Sequence, residues 1–166
     1  MNLVLCGMMG SGKTTVGKAL AKALDWTFAD TDEVLAERYG SITEIFAKYG
    51  EDYFREKESE VCAQLAKGDS LVLSTGGGTL LYAENVRALQ SAGKIIFLRA
   101  NKETLLKRLR GSTARPLLQS GEKLEEKIEE LLKIRTPIYL LSADYIVDVD
   151  GKSPKEIVQE IIKKCP

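Results

Sequence analysis

Short unbroken apolar runs alternate along the chain with stretches whose apolar residues return every third or fourth position. The first kind reads as buried strand and the second as one-sided helix. Asn2–Cys6 is the first strand, and Val16, Leu20, Ala23 and Leu24 give a helix running to about Leu24. Trp26–Ala29 is a second short strand. It is followed by Asp30-Thr31-Asp32, by a helix through Val34, Leu35 and Arg38, and by a stop at Gly40. Ser41 and Glu44 have the spacing of a capping box for a short helix with Ile42, Ile45 and Phe46 on its apolar side. After Gly50 a longer helix runs from about Asp52 to Ala66. Ser70–Ser74 is a third strand, Glu84–Gln90 a helix, Lys94–Arg99 a fourth strand and Lys102–Leu109 a helix. A charged helix begins near Glu122 and continues to about Arg135. There Pro137 is expected to break or kink it, with Tyr139–Leu141 continuing the apolar surface. Asp144–Val149 is a fifth strand. Ser153-Pro154 opens a last helix to Lys164, with the proline at the favoured first position.

Strands and helices thus alternate throughout, which predicts an α/β fold with a parallel sheet covered on both faces. Such sheets gather functional groups at the carboxyl ends of their strands. Gly7–Thr14, Asp30–Asp32, Gly76–Gly78 and Arg99 all fall at strand ends, so one edge of the sheet is the expected site.

Composition narrows the classes. The 166 residues suit a single domain. Lys plus Arg and Asp plus Glu number 24 each, so the chain lacks the overall basic charge of a nucleic-acid or anionic-membrane binder. The first strand begins at Asn2, leaving no room for a signal peptide, and no apolar run is long enough to span a bilayer. Cys6, Cys62 and Cys165 are odd in number and scattered, which fits a reducing cytoplasm rather than a disulfide or zinc framework. No heptad or large apolar surface stands out, so a monomer is expected. Histidine is absent, and acid–base work must fall to carboxylates, lysines or tyrosines.

The sharpest chemistry lies at Gly7–Thr14, GMMGSGKT: glycine, four residues, glycine, lysine and a hydroxyl, between a strand and a helix. This is the P-loop arrangement. Gly7, Gly10 and Gly12 let backbone N–H groups turn inward on a phosphate. The following helix adds its positive end, with Ser11 and Thr15 in the same wrap. Lys13 reaches the outer phosphates and Thr14 supplies a hydroxyl to Mg²⁺. Asp30 and Asp32 either cap the next helix or serve a metal and an attacking hydroxyl. Ser74 is placed to hold a metal-bound water where an acid often stands. Gly76-Gly77-Gly78 is more glycine than a turn needs, which argues for close approach of a ligand to the backbone. Arg55 and Arg135 read equally as solvated helix arginines, whereas Arg115 lies in a polar, glycine-flanked segment of lid-like length, residues 111–121.

Taken together, GMMGSGKT, DTD at Asp30–Asp32, FREKE at Phe54–Glu58, STGGG at Ser74–Gly78, RPLL at Arg115–Leu118 and RTPIY at Arg135–Tyr139 resemble the shikimate kinase family over essentially the whole chain. The resemblance implies a three-layer nucleoside-monophosphate-kinase-like fold of five parallel strands in the order 2-3-1-4-5, with a mobile lid. It implies transfer of the γ-phosphate of ATP to the 3-hydroxyl of shikimate, with Mg²⁺. Asp32 would sit by the attacking hydroxyl, and Asp30 would face Mg²⁺ through water beside Thr14. Arg55 and Arg135 would clamp the shikimate carboxylate, and Gly77, between Gly76 and Gly78, would offer its N–H to the substrate. Arg115 would meet the transferred phosphoryl group. Arg108 or Arg110 would pack on adenine, with Lys152 and Pro154 edging it.

The nearest alternative is another small-metabolite kinase of this fold, such as a gluconate kinase, which would lack DTD, FRxxE and the triple glycine together. A GTPase-like switch is a weaker one. Asn101-Lys102-Glu103-Thr104 has threonine where a guanine-reading aspartate belongs, and Asp148–Gly151 follows it in the wrong chain order. A non-catalytic ATP-binding relative would be expected to lose Lys13, Asp32 or a clamp arginine, and all are present.

Overall fold

The computed structural model describes residues 1–110 and 121–165. The strands are β1 (Asn2–Cys6), β2 (Thr27–Asp30), β3 (Leu71–Ser74), β4 (Gly93–Arg99) and β5 (Tyr145–Asp148). They form one parallel sheet in the order β2-β3-β1-β4-β5, the order the family resemblance implied. β1 is central and buried over its whole length, which requires cover on both faces. The helices are α1 (Lys13–Leu24), α2 (Thr31–Tyr39), α3 (Ile42–Ala66), α4 (Ala83–Ala92), α5 (Lys102–Arg110), α6 (Gly121–Ser142) and α7 (Pro154–Lys164). α1 packs on β2, β3 and α7, while α4 and α6 pack on β4.

The main core joins Leu3, Val4 and Leu5 of β1 to Ile95–Leu98 of β4, Leu20 of α1 and Ile161 of α7, all almost fully buried. A second cluster of Leu35, Ile45, Phe54 and Val61 lies between α2 and α3, and it fixes the helix face that carries Arg55. Buried Asn2 ties the sheet at its amino end: its amide donates to the Gly68 carbonyl and accepts from the Leu71 N–H, both at 3.1 Å.

The short and long helices expected either side of Gly50 are both present and meet at a kink, where Gly50 adopts the non-helical φ 84° and ψ 177°. Two local features differ from the sequence expectation. Thr79–Leu81 form a single 3₁₀ turn, which is too short for apolar periodicity to reveal. Helix α6 continues through Pro137 to Ser142. Pro137 and Lys133 both face solvent, so water can serve the Lys133 carbonyl that the ring leaves without a partner. Buried Tyr139, one half-turn on, keeps the helix seated.

At the helix starts, Ser41 caps α3 by the forward bond alone, its Oγ accepting from the Glu44 N–H at 3.2 Å, not by the full capping box expected with Glu44. The full box stands at Ser153 with Glu156, in front of Pro154.

Candidate active site

The loop between β1 and α1 is shaped by glycine. Gly7, Gly10 and Gly12 have φ of 147°, 84° and 98°, a region costly for any other residue. At Gly7 a Cβ would also lie 2.7 Å from the Leu98 carbonyl oxygen. Gly12 caps α1 without a side chain, and the first turn holds no acid, so the helix presents bare N–H groups and its positive end. Lys13 Nζ bridges the loop, donating to the carbonyls of Gly7 at 2.6 Å and Met8 at 3.3 Å. Thr14 and Thr15 are exposed beside it. Ser11 Oγ is buried without a hydrogen-bond partner among the described residues. Beneath the loop, burial pushes the Cys6 thiol up to about 12, with Lys13 only partly opposing it, so Cys6 is inert packing.

The triple glycine has a specific explanation. None of the three has a left-handed φ. Each instead lies against one of the candidate site side chains. A Cβ on Gly76 would stand 2.8 Å from Asp32 Oδ1, and a Cβ on Gly77 would collide with Arg135 Nη1. A Cβ on Gly78 would stand 2.8 Å from one Arg55 Nη nitrogen and 3.1 Å from the other. The close approach read from the sequence is therefore made by the protein's own side chains. One turn gathers a carboxylate and two guanidiniums that start 103 residues apart, at Asp32 and Arg135.

Each of these groups has a local support. Asp30 ends β2 and caps α2, its Oδ1 accepting the N–H of Asp32 at 2.8 Å and of Glu33 at 3.3 Å. Of the acids in DTD, Asp30 is thus the helix cap, and its Oδ2 takes no part in those bonds. Thr31, between the two acids, is fully buried, and its Oγ1 accepts the Gly76 N–H at 3.1 Å. That bond ties the DTD segment to the glycine turn. Arg55 is the most constrained of the three. Its Nη1 donates to Glu58 at 2.9 Å, and its guanidinium lies over the Phe54 and Tyr82 rings, 5.1 and 5.2 Å from their centres. Glu58 is 1% exposed, and its second oxygen accepts from Thr79 Oγ1 at 2.9 Å. Arg135 Nη1 is a buried donor with no hydrogen-bond partner among the described residues, and Arg55 Nε makes no hydrogen bond there, meeting only the Glu51 carboxylate at 3.8 Å. Buried donors left so are costly, and an anion between the two arginines would satisfy them.

On the nucleotide side, a cavity of about 290 Å³ is lined by Gly10, Gly12, Thr15, Arg108, Lys152 and Pro154 among others. Arg108 and Arg110 are both exposed, and Arg108 Nη1 donates to the Gly10 carbonyl at 3.1 Å. Of the two arginines the sequence left open, Arg108 is the one beside the P-loop. Lys152 is held by Glu160 at 2.8 Å.

Two strand-end features belong elsewhere. Arg99 pairs with Asp148 across β4 and β5, at 2.6 and 3.0 Å, and ties the sheet edge. Asn101 Oδ1 accepts the Thr104 N–H at 2.8 Å as a helix cap, and Asp150 accepts from the Asn101 N–H and the Thr104 hydroxyl. The Asn101–Thr104 and Asp148–Gly151 segments are bound to each other rather than arranged to read a base. Of the lid expected over 111–121, residues 111–120, with Arg115, lie outside the described residues. Sequence reading passed over Thr31, Glu58, Thr79, Tyr82 and Tyr139 as site supports. The i, i+3 spacing of Arg55 and Glu58 was the one available signal.

Sheet order, P-loop and helical cover define a P-loop kinase of the α/β class. The family model for shikimate kinase matches residues 9–166, and the chain belongs to the shikimate kinase family. A shikimate kinase from Thermodesulfovibrio yellowstonii is 44% identical over 164 residues, 98% of this chain and 94% of that protein. The structure of shikimate kinase from Acinetobacter baumannii in complex with shikimate superposes with a TM-score of 0.90 at 38% identity, covering 98% of this chain and 91% of that one. A gluconokinase from Sinorhizobium meliloti shares the fold at a TM-score of 0.63 and 21% identity, covering 98% and 89%. At that identity the likeness speaks for fold alone.

Proposed function

We propose that this chain transfers the γ-phosphate of ATP to the 3-hydroxyl of shikimate, giving ADP and shikimate 3-phosphate. The observation that carries the reading is the glycine turn, where Gly76, Gly77 and Gly78 bear on Asp32, Arg135 and Arg55 in order. An acceptor with one carboxylate and neighbouring hydroxyls matches that set: two guanidiniums for the carboxylate, one aspartate for the hydroxyls. The 44% identity to a curated shikimate kinase over nearly the full chain supports the same acceptor.

In this reading the bare N–H groups of α1 and of the loop hold the β- and γ-phosphates, and Lys13 leaves the loop carbonyls to meet them. Arg108, Lys152 and Pro154 border the nucleoside. Arg55 and Arg135 fix the acceptor carboxylate, and the Gly77 N–H adds a backbone contact. Asp32 accepts a hydrogen bond from the attacking hydroxyl and orients it, with partial base character. Little covalent work is asked of the protein, so positioning and charge neutralisation dominate. Arg115 is assigned to the transferred phosphoryl group by the family resemblance.

The donor set fits Mg²⁺. Among the described residues no three His, Cys, Asp or Glu side chains form a cage. Magnesium carried on nucleotide phosphates asks for one or two protein oxygens and keeps its waters. Thr14 would supply one, and Asp30, through the oxygen its cap does not use, would hold a bound water. When bound, the ion neutralises charge on the β- and γ-phosphates. No helix among the described residues is long and apolar enough to cross a membrane. The odd, scattered cysteines support a cytoplasmic location, and a monomer is the expectation from a sequence without a heptad pattern.

The clamp is tested by Arg135→Ala with shikimate and with its methyl ester as acceptors. The substitution is expected to raise the shikimate KM far more than the ATP KM and to leave the already weak ester little changed. Equal rises in both KM values would refute the clamp.

A further inference from the structure

Behind Arg55, the Glu58 carboxylate is divided between two donors. Oε1 accepts from Arg55 Nη1 and Oε2 from the Thr79 hydroxyl, both at 2.9 Å. Glu58 and Thr79 are both buried. Thr79 directly follows the glycine turn and is fixed at both ends of its own backbone. Its N–H donates to the Gly76 carbonyl at 3.2 Å, and its carbonyl accepts from the buried Asn85 amide at 3.0 Å. A hydroxyl has one proton to give, and here a carboxylate, a strong acceptor, takes it. Across the turn, α6 supports Arg135 differently, through the Tyr139 hydroxyl, which donates to the Gly77 carbonyl at 2.6 Å.

A carboxylate with both oxygens open takes a guanidinium through two parallel hydrogen bonds. Glu58 would then hold a second nitrogen of Arg55 and draw it toward α3. That competes with the acceptor, because the Arg55 Nη nitrogens are the ones that bear on Gly78 of the acceptor turn. Thr79 occupies the oxygen that the second bond would need. We infer that Thr79 is a positioning residue for acceptor recognition: by holding Oε2 of Glu58 it keeps Arg55 tethered through Nη1 and leaves the rest of the guanidinium for the acceptor carboxylate. The turn thus acts on Arg55 twice, by the contact at Gly78 and through Glu58 by the hydroxyl of the next residue. This assignment rests on the proposed acceptor and goes beyond it, since it gives a specificity role to a side chain outside the glycine, aspartate and arginine set.

The test is steady-state kinetics on the full chain with Mg-ATP, for the parent, Thr79→Val and Thr79→Ser, with shikimate and its methyl ester as acceptors. Thr79→Val keeps the shape of the side chain and loses the hydroxyl. Its kcat/KM for shikimate should fall about tenfold, carried by KM, as for the loss of one charge-assisted hydrogen bond to the acceptor. Its ATP KM and its kcat/KM for the ester should stay within about twofold of the parent, because neither depends on a carboxylate in the clamp. Thr79→Ser restores the proton and should bring the shikimate KM back to within about twofold of the parent. An unchanged shikimate KM in Thr79→Val overturns the inference. Equal falls for shikimate and ester overturn it too, because the turn as a whole would then have moved. So does a failure of Thr79→Ser to rescue, which would make the lost methyl group the cause. A parent that binds ADP but shows no turnover with shikimate refutes the proposed acceptor, and the role of Thr79 falls with it. Should Thr79→Val not fold, NMR on the parent decides: the Thr79 hydroxyl proton must give a slowly exchanging signal that survives shikimate binding, and its absence or its loss on binding overturns the inference.

Discussion

Replacing Gly78 by alanine isolates the reason for the triple glycine. Its backbone, at φ −100° and ψ 0°, is open to alanine, so the substitution carries no left-handed strain. The new methyl would lie 2.8 Å from one Arg55 Nη nitrogen, where ordinary contact begins at 3.4 Å, so the guanidinium must give way by several tenths of an ångström. It has little room to do so. Glu58 holds it at 2.9 Å, and Glu58 is itself anchored to Thr79. Either the Arg55–Glu58 bond or the contact with the acceptor carboxylate is lost. A charge-assisted hydrogen bond of this kind contributes about 1.5–3 kcal/mol. At about 1.4 kcal/mol per decade that is roughly a 10- to 150-fold fall in kcat/KM for shikimate. The ATP KM should stay within about twofold; no backbone strain is added, so stability should fall by more than about 1 kcal/mol only where it is the Arg55–Glu58 bond that gives way. Steady-state kinetics with each substrate varied in turn, beside a thermal melt, measure all three quantities. If kcat/KM for shikimate is unchanged, Arg55 does not hold the acceptor from its observed position. If both KM values rise together with a large fall in Tm, the turn has collapsed and the side-chain explanation is wrong.

Gly50→Ala is the complementary case. Nothing lies within 4 Å of its Cβ position, yet φ is 84°, so backbone strain of about 1–3 kcal/mol should appear in urea unfolding with shikimate kinetics unchanged. Asp32→Asn should remove most turnover while leaving ATP affinity nearly intact, read by steady-state rates and ADP calorimetry. A collapse of nucleotide affinity would move Asp32 to the metal side. The Arg99 hydrogen bonds hold the Asp148 carboxyl below its ordinary 3.8. A carboxyl lowered in the folded state stabilises the fold above its unfolded pKa, and that contribution is lost as pH falls through the folded value. Both side chains are about half exposed, so Asp148→Asn should cost under about 1 kcal/mol at neutral pH and nothing in acid below the folded pKa, by urea titration at each pH.

The alternation of apolar runs and helical stretches was enough to read the strands, because the buried strands are short runs of four to seven residues bounded by polar turns. The P-loop was legible because its chemistry is local: eight consecutive residues carry glycine, lysine and hydroxyl together. Arg55 and Arg135 were not readable from periodicity, since a helix arginine looks the same whether it meets solvent or a ligand. Only the family resemblance separated them. The same holds for Thr31, Tyr82 and Tyr139, whose partners lie 45 residues or more away along the chain, apart from the Tyr82–Arg55 contact at a separation of 27. Pro137 does not break the helix, although it removes one backbone bond, because buried Tyr139 holds the following turn against the core.

The central claim is the acceptor. ADP release from Mg-ATP, followed with shikimate, quinate and gluconate as parallel acceptors, tests it most directly. The account predicts turnover with shikimate and little with gluconate, which has a carboxylate but no ring to hold its hydroxyls against Asp32. Nucleotide binding without shikimate-dependent release, or faster release with gluconate, would leave the P-loop standing and contradict the assignment of Asp32, Arg55 and Arg135.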